Sequence, residues 1–188
     1  MSQHAGGNRR FPRGQVIPFT TTTPTYPART FLLDAAECTL LIAIRWWAAA
    51  FRHGDDPMPR PRQDLEIAGA HDEAFSVNSL MAVVARTVRQ PIAVHCPRCP
   101  HLSEDEAHLL HAASLAQLGE SDLAERALRT ALLSAPGAEF ALGPLEGLGE
   151  LFAAARLKFT RRRSPAEAMS PAGAVETWHP PIVAEMVH

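Results

Sequence analysis

Two of the chain's three cysteines and four of its nine histidines fall between residues 95 and 111. They run His95-Cys96-Pro97-Arg98-Cys99-Pro100-His101, followed by His108 and His111. Thiolates and imidazoles at that density suit zinc, which takes two sulfurs from a C-x2-C turn and two nitrogens from a helix. Cys96 and Cys99 give the turn. His108 and His111, three apart, share one helical face. The expected cofactor is therefore a structural zinc held by Cys96, Cys99, His108 and His111. His101 could replace either histidine, and Cys38 could add a third thiol, although a buried core cysteine is the commoner role. Four protein ligands leave no open coordination position, so this reading predicts no catalysis. The link between Cys99 and His108 is shorter than in zinc fingers, and no ββ ribbon is expected, which argues against a DNA-reading finger. The residues also allow a plainer reading, in which Cys96-Pro97-Arg98-Cys99 is a proline-stiffened turn and both histidines sit at a helix rim.

A second chemistry fits the same turn. Ile92-Ala93-Val94-His95 reads as a short extended piece, and Cys96-Pro97-Arg98-Cys99 and a helix follow it. This order resembles the active-site entry of the thioredoxin and glutaredoxin family. That resemblance implies a helix N-terminus lowering the pKa of Cys96, Arg98 stabilising its thiolate and Cys99 resolving the mixed disulfide. The strands that should follow residue 100 are missing from the pattern. The alternative function is thus a thiol-disulfide redox protein or sensor. No nucleophile elbow, H-E-x-x-H, phosphate loop or dinucleotide fingerprint occurs.

The elements that must position these residues are helical. A first helix is expected over about 30–52, with Thr30, Asp34, Glu37, Arg45 and Arg52 in one polar stripe. Leu33, Ala36, Leu40, Ala43, Trp47 and Phe51 fill its far side. Three prolines mark 55–62 as a loop. A second helix spans about 74–90 and stops at Pro91. Ser103-x-x-Glu106 is a capping box that opens a third helix, which Gly119 ends. Ser121 is expected to cap a fourth over about 122–134, and Gly143-Pro144 to open a fifth. Gly147 and Gly149 should weaken that last helix by about 1 kcal/mol each.

Within this set, residues 105–138 resemble one tetratricopeptide repeat. Pro136 takes the closing proline, Ala124 and Ala131 the small positions of the second helix, Leu128 the large apolar position and Gly119 the turn glycine. Leu115 stands at an aromatic position, and His108 and His111 stand where such repeats bury a tryptophan and a leucine. The resemblance implies an α-helical hairpin and, more distantly, binding of a protein partner. No second copy occurs at that period, so the groove of an array is not expected.

The whole is then an all-α protein, a small irregular bundle of about five helices. Residues 30–160 form the domain, between disordered arms at 1–28 and 161–188. The arginines in the arms, Arg161-Arg162-Arg163 among them, read as solvated ends. A net charge of −2 over 188 residues gives no electrostatic case for nucleic acid. No apolar run is long enough for a membrane span. Three cysteines make no disulfide framework, and the N-terminus lacks a signal-peptide core, so a cytoplasmic location is expected. The expected role is a small interaction or regulatory protein.

Overall fold

A computed structural model describes residues 23–166, so the arm expectations for 1–22 and 167–188 lie outside the described residues. The chain is all-α, with six α-helices and no strand among the described residues. A single 3-10 turn, Thr30–Leu32, precedes α1, Ala35–His53. The long first helix expected from periodicity is split there because Asp34 caps. Its carboxylate accepts from Glu37 N at 2.7 Å while Glu37 accepts from Asp34 N at 2.9 Å. Gly54, at φ +77, closes α1 in the left-handed conformation that glycine takes without steric penalty.

The stretch expected to be a loop at 55–62 instead starts α2, Pro59–Ile67. Its prolines lie in the first turn, where backbone N–H groups have no intrahelical acceptor to lose. Then follow α3, Glu73–Thr87, and α4, Glu104–Gln117, which the Ser103/Glu106 capping box opens as read. In α5, Ser121–Ala131, Ser121 does not cap; its hydroxyl donates to Glu146 at 2.5 Å. The last helix, α6, is Ala135–Ala154 and starts well before Gly143-Pro144. Ser134 caps it by accepting from Gly137 N. Pro144 lies inside, where the acceptor it frees is the carbonyl of exposed Phe140.

α6 packs against α3, α4 and α5, while α1 packs against α2, α3 and α4. The shared core includes Leu40, Ile44, Leu80, Leu109, Leu128, Leu148 and Phe152. Each such side chain contributes about 1.5–3 kcal/mol on burial. Gly149 is required by contact: a Cβ there would stand 2.8 Å from Gln117 Cα, so glycine lets α6 lie directly on α4.

After α6, Arg156 turns the chain at φ 62, and residues 157–163 run back across the bundle. Gln117 holds this strap, donating to Leu157 O at 2.9 Å and accepting from Phe159 N at 2.9 Å. The strap ends beside Thr23 and Pro24, where Arg163 N donates to Pro24 O at 2.8 Å. No helix among the described residues is long and apolar enough to cross a membrane.

Candidate functional site

The cysteine turn is hung from side chains of α1 and α4. Arg45, on α1, is 2 % exposed and Glu106, on α4, is 0 % exposed. Arg45 Nε and Nη2 donate to the two Glu106 oxygens at 2.7 and 2.8 Å. The remaining donors of Arg45 reach Cys99 O at 2.7 Å and His101 O at 2.5 Å. Glu106 also accepts from His95 N at 3.0 Å and Ser103 N at 2.9 Å. A bidentate pair with its outer lone pairs filled is the arrangement in which a buried charge pair is tolerated. The polar stripe of the first helix is thus buried in part: Arg52 is exposed, but Glu37 and Arg45 are withdrawn from water, and Arg45 fixes the turn.

The thiols are free: Cys96 exposed, Cys99 and Cys38 half-buried. Cys99 N donates to Cys96 O at 3.0 Å, closing a tight turn. The helix expected to activate Cys96 begins only at Glu104. Cys38 donates its thiol to Thr30 O, and burial with Asp34 and Glu37 nearby pushes its pKa up. Among the described residues, no three His, Cys, Asp or Glu side chains form a group that could hold a metal ion. Cys96, Cys99, His108 and His111 therefore do not converge on one point in this structure.

The two histidines lie together along a different feature. α4, α5 and the strap enclose a groove of about 730 Å³. Leu115, Leu123, Ala127 and Ala131 give it an apolar floor, and Arg126 and Arg161 to Arg163 a cationic rim. His108 and His111 stand on its α4 wall. The side chain of His108 is 7 % exposed, and its Nδ1 has no hydrogen-bond partner. Its Nε2 faces Glu104 at 3.8 Å, beyond hydrogen-bond length. Burial lowers the pKa of His108, against the opposing pull of Glu104 and Asp105, and favours the neutral ring. Tyr26 meets the His111 ring edge to face, with centroids 6.1 Å apart.

The rim arginines differ. Arg161 pairs with Glu120 at 2.8 Å. Arg162 makes a bidentate pair with Glu37, whose side chain is 0 % exposed, at 2.5 and 2.8 Å, and this raises the guanidinium pKa. Arg163 Nε donates to Thr23 O and Arg126 Nε to Asp122 O. Neither of these two meets a carboxylate among the described residues. Arg161 to Arg163, expected in a solvated end, are held by named acceptors. Sequence reasoning missed this because the partners lie 41 to 140 residues away. The one local hint was the pair of charged residues Glu37 and Arg45, which fall among buried apolar positions of α1.

The fold and groove define an all-α helical bundle with a polar-rimmed cleft. The chain matches no family model, no curated protein and no solved structure.

Proposed function

We propose that the chain is a non-catalytic helical interaction module of the cytoplasm, and that the α4–α5 groove takes a partner segment combining a large apolar residue with carboxylates. The observation that carries this is the pairing of an apolar floor with Arg126 and Arg163, two guanidiniums without a carboxylate among the described residues. Guanidinium forks recognise carboxylates bidentately, and an apolar floor beside them gives a side chain somewhere to bury. His108 adds a hydrogen-bonding ring to the wall. The resemblance of residues 105–138 to a tetratricopeptide repeat supports the same use of the hairpin.

Selection of a random peptide library on the full chain tests the reading. Enriched peptides should join acidic residues to an aromatic or large aliphatic one, and Arg126→Glu/Arg163→Glu should reject them. Enrichment of the same peptides by the charge-reversed protein, or no enrichment by either, would overturn it. The thiol readings are checked on the same protein. Stoichiometric zinc by mass spectrometry, lost in Cys96→Ser, is what a zinc site requires. Disulfide exchange lost in Cys96→Ser is what a redox role requires.

A further inference from the structure

The groove is also the place where both ends of the described chain arrive. Thr23 and Ala166 line it, so the preceding 22 residues and the following 22 leave from its rim. The two segments have opposite chemistry. Residues 1–22 carry Arg9, Arg10 and Arg13 and no acid. Residues 167–188 carry Glu167, Glu176 and Glu185, no lysine or arginine, and a single large aromatic, Trp178. Only the second complements a floor of Leu115, Leu123, Ala127 and Ala131 flanked by Arg126 and Arg163. Of the groove's own carboxylates, Asp105 accepts from Ala93 N at 2.6 Å, and Glu104 is 60 % exposed and lies 3.8 Å from His108 Nε2.

We propose that residues 167–188 are the resident occupant of the groove. Trp178 lies on the apolar floor and the tail glutamates pair with Arg126 and Arg163, so a partner must displace the tail to bind. This rests on the groove being a peptide site, as proposed above. Reach is not limiting, because 22 extended residues span about 70 Å. A segment tethered at the rim acts at an effective concentration of about 1 mM, enough to mask the groove from dilute competitors. The tail would then set a threshold: weak acidic ligands are excluded, and only partners that bind better than the tail gain entry.

The test uses the full chain and fluorescein-labelled peptide 167–188. Subtracting the emission of Trp178→Phe from that of wild type isolates Trp178 from Trp46 and Trp47. In wild type, Trp178 should be blue-shifted and shielded from iodide relative to the peptide alone. Arg126→Glu/Arg163→Glu should expose it, and adding Glu176→Arg to that variant should restore part of the shielding. Labelled peptide should bind a full chain carrying Glu167→Gln, Glu176→Gln, Glu185→Gln and Trp178→Ala about tenfold or more tightly than it binds wild type. Circular dichroism checks that each variant is folded. A Trp178 as open to iodide as the free peptide, with equal peptide binding to both chains, overturns the proposal. Shielding that disappears on dilution also overturns it, in favour of exchange between two copies. If library peptides bind the groove while peptide 167–188 does not, only the tail assignment fails. If neither binds, the peptide-site reading fails with it.

Discussion

Glu106 and His108 stand two residues apart on α4, and both are withdrawn from water. Their surroundings are opposite. Glu106 meets Arg45 twice and two backbone N–H groups besides, all at 3.0 Å or less. His108 has no hydrogen bond within 3.5 Å, and it borders a groove. A buried polar group with every partner in place specifies structure: it fixes how α1, α4 and the 95–101 turn meet. A buried polar group lacking partners lowers stability by about 1–3 kcal/mol. Here it sits beside a cleft into which a ligand can bring the missing partner. The contrast separates the part of this molecule that holds it together from the part proposed above to bind.

Breaking the satisfied side should do the most damage. Arg45→Met leaves Glu106 buried without its counter-charge and should lower stability by about 3–5 kcal/mol in urea denaturation. A loss under about 1 kcal/mol would mean that Glu106 is rescued by water. The strap pair should matter less. Arg162 is 10 % exposed, and the segment can lift to rehydrate Glu37. Arg162→Met should lower stability by about 1–3 kcal/mol, and it should also widen the groove, seen as faster hydrogen exchange at Phe159 N. The smallest effect belongs to His108 and is a matter of pH. Its folded pKa lies below the usual 6.5, so between those two values the unfolded chain holds more protons. Stability contributed by the neutral ring is complete above about pH 6.5 and falls as the pH drops through the folded pKa. Urea midpoints from pH 7.5 to 5 should decline in wild type and decline less in His108→Asn. Equal slopes would place the proton elsewhere.

Much of the architecture was legible because helices announce themselves locally. Leu40, Ala43 and Trp47, or Val77, Leu80 and Val84, repeat at helical spacing and are buried as that spacing implies. Two of the errors came from prolines. Pro59 and Pro61 looked like loop residues, but in a first turn they forfeit no hydrogen bond. Pro144 looked like a helix start and lies inside α6 instead. The candidate site was legible only as ingredients. His108, His111 and the Arg161–Arg163 run were noticed, but what joins them is a strap that crosses from Arg156 to Thr23, and no periodicity encodes a contact between segments so far apart. Arg45 and Glu106 likewise stand 61 positions apart. The density of cysteine and histidine drew attention to the turn at 95–101, whereas the bonds that hold its backbone come from an arginine in another helix.

The Glu37–Arg162 pair has a consequence for how the chain is made. Its members are separated by 125 positions, so at about 5–20 residues per second the ribosome adds Arg162 roughly 6 to 25 s after Glu37. Throughout that interval α1 carries a carboxylate whose native place is fully buried and whose counter-charge does not yet exist. The N-terminal end of α1 must therefore stay wet while α2 to α6 are being synthesised, and it can seal only when the strap emerges. A nascent chain stalled before residue 162 should expose this end of α1 to chaperones and proteases, even with most of the core already translated.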